Sequence, residues 1–372
     1  MTDLFVHCRG RYLIALILLV IHGRTDLHAA ESLAWHAVNS ADVQGKGWND
    51  TAGPFDRFPA RAKDLVRPAV WQLSGDSSGL CVDFTTDATQ LSVRWTLTRP
   101  ALAMPHMPAT GVSGVDLYVR DETGWQFVAA ARPTMSLTNE VQIAAGLAAG
   151  EKQFRLYFPL YNGVSALELG VIAGSKLSIS PKDDHQKPIV FYGTSIMQGG
   201  CASRPGMSYT SIISRRLGLP VINLGFSGNG KCEPAVAKLL AELDPLLFVL
   251  DPLPNLFPAD AAQRLPEFVE IIRSERPQTP ILLAQPPVYA DAPAIPARRQ
   301  RVADAYAVVA EVHRRRVENG DQHIFLAPGA DLAEHGGEAT VDGTHPTDLG
   351  FAMMADALEP HLRRVLQLSE QK

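Results

Sequence analysis

Residues 187–200 read Lys187-Pro-Ile-Val-Phe-Tyr-Gly-Thr-Ser-Ile-Met-Gln-Gly-Gly200. The apolar run Ile189–Tyr192 has the length of a buried strand, and Gly193 stops it. Ser195 follows on the turn, and two glycines close the stretch. Chain leaving the carboxyl end of a parallel strand is where α/β folds place ligands. A serine there presents its Oγ to a pocket rather than to the core, so Ser195 is a candidate nucleophile.

Downstream, Val221–Phe226, Leu246–Leu250, Ile281–Ala284 and Ile324–Leu326 read as four further buried strands. Helical segments fall near Tyr209–Leu217, Pro234–Leu243, Ala261–Arg273, Arg298–Val317 and Leu349–Leu366. Strands alternating with helices predict a mostly parallel, doubly wound sheet of flavodoxin-like type.

Upstream the rhythm is period two. Leu80–Thr86, Leu91–Leu97, Val115–Arg120 and Phe154–Phe158 alternate apolar with polar or hydroxyl residues, and turn residues separate them. Short alternating strands at this spacing predict an all-β sandwich, jelly-roll-like, over residues 31–180. Trp48, Trp71, Trp95 and Trp125 fill its core or line a groove. The polar, Pro-bearing stretch 181–187 reads as a linker, and 188–368 as the second domain.

Residues 1–30 stand apart. Arg9 and Arg11 precede the uncharged run Tyr12–Ile21, and Ala29-Ala30 close the segment. This is the layout of a secretory signal peptide, with an uncleaved anchor as the alternative. The expectation is a secreted or periplasmic protein with no stable membrane span once the leader is removed.

A chain of 372 residues with 46% hydrophobic and 20% charged residues suits two ordinary globular domains. The net charge of −5 and the lack of a basic block argue against nucleic-acid binding. Nothing in the sequence bears on oligomeric state. Cys8 lies in the leader, leaving Cys81, Cys201 and Cys232, an odd number. Cys201 and Cys232 each follow a candidate site segment; they form a bridge or stay as small half-buried thiols. The chain has no C-x-x-C or H-E-x-x-H, hence no metal signature.

Acyl-bond hydrolysis needs a nucleophile, a base, a group that orients the base, and donors for the oxyanion. The last loop offers Val341-Asp342-Gly-Thr-His345-Pro346. This short spacing in a Gly- and Thr-bearing turn lets the Asp342 carboxylate reach Nδ1–H of His345. The tautomer so held has an Nε2 able to accept a serine proton. His345 also suits the start of the final helix, with Thr347 as cap. Asn223–Gly230 follows the second strand, and its glycines allow close approach of backbone N–H groups. Asn255 follows the third strand and can donate from its amide. The N–H groups of Ser195 and Gly228 with the Asn255 amide would form an oxyanion hole, each donor worth about 3–4 kcal/mol. Taken singly, Gly228 suits a plain turn and Asn255 a cap; their shared position past strand ends joins them.

These residues resemble the signature of the SGNH (GDSL-type) hydrolases: Ser195, Gly228, Asn255 and His345, with Asp342 three residues before the histidine. The resemblance spans roughly residues 187–366. Upstream, Gly114-Val-Asp116-Leu-Tyr118 is similar to the Gly-x-Asp-Leu-Tyr string of a two-domain branch in which a β-sandwich precedes the hydrolase. The resemblance implies a three-layer α/β/α catalytic domain and ester hydrolysis through an acyl-enzyme, without a cofactor. Gly193-Thr194-Ser195 replaces the usual Gly-Asp-Ser, and Leu253-Pro254-Asn255-Leu256 the usual Gly-x-Asn-Asp, as in the branch with the sandwich.

Gly75-Asp-Ser-Ser-Gly79 mimics both Gly-Asp-Ser and the nucleophile elbow, but an alternating strand follows it instead of a helix. It reads as a hairpin turn. Thr194, His106 and Asp116 are candidate substrate contacts, although His106 and Asp116 equally suit stabilising a loop. The expected function is a serine esterase removing acetyl groups from small-molecule or glycan esters. Alternatives are a lipid, lysophospholipid or thioester hydrolase, or a non-catalytic carbohydrate-binding protein with a degenerate hydrolase domain.

Overall fold

The computed structural model describes residues 32–183 and 185–369. The leader expected over residues 1–30 lies outside them. The described residues from Leu33 onward form one compact unit.

Among the described residues, the N-terminal half carries ten strands: β1 (Leu33–Ala37), β2 (Val43–Gln44), β3 (Cys81–Thr86), β4 (Gln90–Leu97), β5 (Val115–Asp121), β6 (Gly124–Ala131), β7 (Thr138–Ala145), β8 (Lys152–Tyr157), β9 (Val164–Ile172) and β10 (Leu177–Ile179). They pair antiparallel in two sheets, β1-β9-β4-β7 and β10-β3-β8-β5-β6, with β2 added to β3. The alternation seen in the sequence aims Leu91, Val93, Trp95 and Leu97 of β4 into one core with Phe84, Phe154 and Leu169. Phe84 and Phe154 are register partners on adjacent strands, and their rings stack with centroids 5.5 Å apart. The β-sandwich expected here is present.

Residues 45–75 depart from that pattern, although Phe55 among them still packs into the sandwich core. They include helix α1 (Pro68–Ser74), with proline at its first turn and Gly75 at its C-cap. Trp48, Phe58, Ala62, Val66 and Val70 are buried with Tyr192, Phe226 and Phe248 of the second half, not inside the sandwich. Each large apolar side chain buried in this way contributes about 1.5–3 kcal/mol. The 75–79 turn therefore joins a helix to a strand and is not a hairpin.

The remaining helices are α2 (Ala109–Val112), α3 (Ser195–Gln198), α4 (Tyr209–Leu217), α5 (Pro234–Glu242), α6 (Pro258–Glu275), α7 (Pro296–Glu318) and α8 (Asp348–Leu366). The second half also carries β11 (Ile189–Gly193), β12 (Val221–Gly225), β13 (Leu247–Asp251), β14 (Ile281–Ala284) and β15 (Ile324–Ala327). All five strands run parallel in the order β12-β11-β13-β14-β15, the flavodoxin-like arrangement expected. Both faces are covered. Ile189 and Phe191 pack with Tyr209, Phe351 and Leu362, while Val190 and Tyr192 pack with Leu240, Phe268 and Val309. Burial on both sides explains why these strands read as continuous apolar runs. Among the described residues, no helix is long and apolar enough to cross a membrane.

Candidate active site

Strand β11 ends at Gly193, in register between Gly225 of β12 and Asp251 of β13. A Cβ on Gly193 would meet the Asp251 carbonyl oxygen at 2.7 Å, so only glycine fits this strand end. Thr194 then starts α3, whose first residue is Ser195. The Ser195 Oγ lies 2.9 Å from Nε2 of His345, 150 residues further along the chain.

The Asp342 carboxylate holds that imidazole. Oδ2 accepts Nδ1–H of His345 at 2.8 Å, while Oδ1 accepts the backbone N–H groups of His345 at 2.8 Å and Thr344 at 3.0 Å. Burial pulls the Asp342 pKa upward, but the hydrogen bonds from His345 and Thr344 outweigh it and hold the group below the usual carboxylate value. An anionic Asp342 keeps the proton on Nδ1, which leaves the Nε2 lone pair facing the serine hydroxyl. Arg298 of α7 fixes the loop, pairing with Asp291 at 3.0 Å and donating to the Thr344 hydroxyl. Thr347 caps α8, as expected, by accepting the Gly350 N–H.

The Asn255 side chain reaches the turn that contains Gly228, and that turn is tied to the β11 end. The Phe226 N–H donates to the Gly193 carbonyl at 3.0 Å, and the N–H groups of Asn229 and Gly230 turn back onto Phe226 O at 2.8 and 2.9 Å. Gly228 occupies the left-handed region at φ +66° inside this turn. The Asn255 side chain lies over it. One amide orientation gives a single 3.3 Å bond to the Phe226 carbonyl. The other lets its oxygen accept the N–H groups of Asn229 and Gly230, both at 3.1 Å, and satisfies the amide better. This second orientation turns the NH₂ away from the backbone turn.

The remaining sequence candidates separate. His106, on a sandwich loop, places its ring 5.9 Å from that of His345 and is exposed. Asp116, offered as a substrate contact, is corrected by the structure. It is 0% exposed, its Oδ2 accepts from Arg204 at 2.7 Å, and both oxygens accept the Gly206 N–H. Tyr118 of the same string bonds Arg204 through its hydroxyl, so the Gly-x-Asp-Leu-Tyr motif clamps the 204–206 loop of the second half. Thr194 is also corrected: it is 0% exposed, and its hydroxyl is buried without a hydrogen-bond partner, not presented to substrate. Cys201 and Cys232 do not bridge. Both are free and buried, as is Cys81, and each adopts positive φ on its own loop.

Sequence reasoning missed several residues at this centre. Tyr161 of the sandwich half donates its hydroxyl to the Ser195 carbonyl at 3.1 Å. A Cβ on Gly200 would lie 2.8 Å from that hydroxyl and 3.4 Å from Cδ2 of His345, so the second glycine of the 199–200 pair makes room for the imidazole. Gln198 bonds the Ser227 N–H at 2.9 Å. None of these sits in a spacing that announces a role. Among the described residues, no group of three or more His, Cys, Asp or Glu side chains could hold a metal ion.

A serine hydroxyl, an imidazole and a carboxylate thus stand in line at the carboxyl edge of a parallel sheet, an arrangement suited to acyl transfer. Residues 186–363 match the GDSL-like lipase/acylhydrolase family, and residues 33–177 match the GxDLY family, the N-terminus of SGNH-hydrolase-type esterases. A Bacteroides ovatus ATCC 8483 protein named for its likeness to GDSL lipases is 30% identical, with 92% of this chain and 100% of that chain covered and a TM-score of 0.85. The chain belongs to the GDSL-like lipase/acylhydrolase family and is an SGNH-type ester hydrolase. The salicylyl-acyltransferase SsfX3 of a tetracycline biosynthetic pathway is 25% identical over 89% of this chain and 97% of its own, with a TM-score of 0.70. The acetyl xylan esterase Est2A of Butyrivibrio proteoclasticus shares the fold at 12% identity, covering 91% of this chain and 100% of its own, with a TM-score of 0.56. No protein of curated function matches the sequence.

Proposed function

We propose that Ser195, His345 and Asp342 are the catalytic triad of a carboxylic-ester hydrolase acting on acetyl esters of carbohydrates. The observation that carries the reading is the unbroken relay from Asp342 to His345 at 2.8 Å and from His345 to Ser195 at 2.9 Å. The Ser195 oxygen attacks the ester carbonyl as Nε2 takes its proton. The tetrahedral oxyanion is met by the N–H groups of Ser195 and Gly228 and by the Asn255 amide. Collapse breaks the ester C–O bond, and the imidazolium returns its proton to the departing alcohol. Water, deprotonated by the same Nε2, then attacks the acyl-enzyme, releasing acetate and restoring the serine.

His106 stands at the mouth from the sandwich side and contacts the alcohol part of the substrate. Residues 1–30 act as a leader that delivers a sandwich (31–180), a connector (181–187) and a catalytic half (188–368) to the periplasm or exterior. A second reading gains support from the likeness to an acyltransferase: an alcohol in place of water would accept the acyl group from the same intermediate.

The test is labelling by a fluorophosphonate probe, with acetate release measured over a panel of acetylated polysaccharides. Ser195→Ala abolishes both if the reading is right. Activity on p-nitrophenyl acetate that survives Ser195→Ala overturns the choice of nucleophile, and an alcohol acceptor that diverts acyl product from free acid favours transfer.

A further inference from the structure

Gln198, the last residue of α3, is fully buried, and both ends of its amide are used. Oε1 accepts the Ser227 N–H at 2.9 Å, and Nε2 donates to Oδ2 of Asp76 at 2.8 Å and to the Leu160 carbonyl at 3.2 Å. A carboxylate only accepts, so Asp76 dictates which way the amide lies and hence which atom faces Ser227. Asp76 is itself 1% exposed, and its other oxygen is paired with Arg99. The same guanidinium donates to the Tyr161 carbonyl at 2.6 Å, and the Tyr161 hydroxyl donates to the Ser195 carbonyl.

Two more anchors join the sandwich half to this point. The Ser78 hydroxyl donates to the Gln198 carbonyl at 2.7 Å. Arg57, buried in full, donates to the carbonyls of Asp76 at 2.8 Å and Gly225 at 2.8 Å. The turn that mimics a nucleophile elbow in the sequence is thus seated against the back of the real site.

Resting on the ester-hydrolase reading above, we propose that Asp76 and Gln198 are positioning residues for the reaction. Through the Ser227 N–H they set where the Phe226–Gly230 turn stands, and so where the Gly228 N–H meets the oxyanion. The sandwich half is thereby a working part of the catalytic centre.

The test compares kcat and KM for p-nitrophenyl acetate in variants shown by circular dichroism to be folded. Gln198→Met keeps the volume but gives Ser227 no acceptor. Its kcat falls about 10- to 100-fold, the consequence of a displaced donor, with KM little changed. The shape of its pH profile is that of the wild type, because Ser195, His345 and Asp342 are untouched. Gln198→Glu sets two carboxylates face to face and loses as much. Adding Asp76→Asn to Gln198→Glu returns an NH₂ donor to the 76–198 contact, though not to the Leu160 carbonyl, and restores kcat about tenfold over Gln198→Glu alone, short of the wild type. A purely structural role would lower the thermal midpoint without this split between kcat and KM and without the rescue.

Wild-type kcat in folded Gln198→Met, or no recovery in the double variant, overturns the proposal. Should Gln198→Met not fold, the comparison of Gln198→Glu with the double variant carries the test. Ser195→Ala, measured alongside, keeps the two readings apart. An inactive Ser195→Ala with an unimpaired Gln198→Met overturns the positioning role alone, whereas an active Ser195→Ala overturns the nucleophile.

Discussion

Replacing Gly230 by alanine probes the proposed oxyanion turn more sharply than replacing the signature glycine, Gly228. A Cβ on Gly230 would stand 1.9 Å from the Gly193 carbonyl oxygen, where real contacts essentially never fall under 3.0 Å. The neighbour is backbone at the end of β11, and that same oxygen accepts the Phe226 N–H at 3.0 Å. Relief therefore requires the turn to retreat by about 1 Å, a displacement that costs on the order of 10²-fold in rate. Overpacking adds about 1–3 kcal/mol of instability. At Gly228 a Cβ meets nothing within 4 Å, and only the left-handed backbone at φ +66° resists the change. That strain is about 1–2 kcal/mol. With kcat for p-nitrophenyl acetate and urea unfolding measured on both variants, Gly230→Ala loses about 10²-fold in kcat, while Gly228→Ala stays within several-fold and is mildly less stable. Wild-type kcat in Gly230→Ala, or a larger loss in Gly228→Ala, refutes the steric argument.

Asp342→Asn removes the anion that fixes the His345 tautomer and lowers kcat about 10³–10⁴-fold. Because the folded Asp342 pKa lies below the ordinary value, its stabilising contribution is complete above the unfolded pKa of about 3.9 and is lost as pH falls through the folded value. The difference in urea midpoint between wild type and Asp342→Asn should accordingly shrink as pH falls below about 4. Asp116→Ala leaves Arg204 without its buried partner and costs about 3 kcal/mol in urea unfolding; an unchanged midpoint would show that the clamp on the 204–206 loop is slack. Burial pushes the thiols of Cys81 and Cys201 up to about 12 and that of Cys232 upward as well. Ellman's reagent at pH 8 should therefore leave the three described cysteines unlabelled in folded protein and react with all of them in guanidinium, with no change of mass under reductant.

The parallel sheet was legible because its strands are buried on both faces. Ile189–Tyr192 and Leu247–Leu250 are unbroken apolar runs, and each leads straight into a candidate site residue. Ser195, His345 and Asp342 could be named because their chemistry restricts residue type. The packing of Trp48, Phe58 and Val70 on the α/β half was not legible, because they follow no period and partners such as Tyr192 and Phe226 lie over a hundred residues away. Helix α1 is too short for periodicity to show, although Pro68 and Gly75 mark both its ends. Asp116 looked like a substrate contact because nothing local reveals Arg204, 88 residues on. Gln198 was silent for the same reason: an amide in a four-residue helix acquires its task only from Asp76 and Ser227.

The interleaving of residues 45–75 with the α/β half bears on how such a protein can be cut or recombined. Severed near residue 185, the hydrolase portion would keep its sequence signature yet expose the surface now covered by Trp48, Phe58 and Val70. It would also leave the carbonyls of Asn223 and Gly225 without the Arg57 guanidinium. Swapping sandwiches between relatives is governed by the same surface, since a donor must bring a matching strap along with its strands. A truncated clone chosen on motif boundaries alone would therefore sacrifice solubility before any chemistry could be assayed.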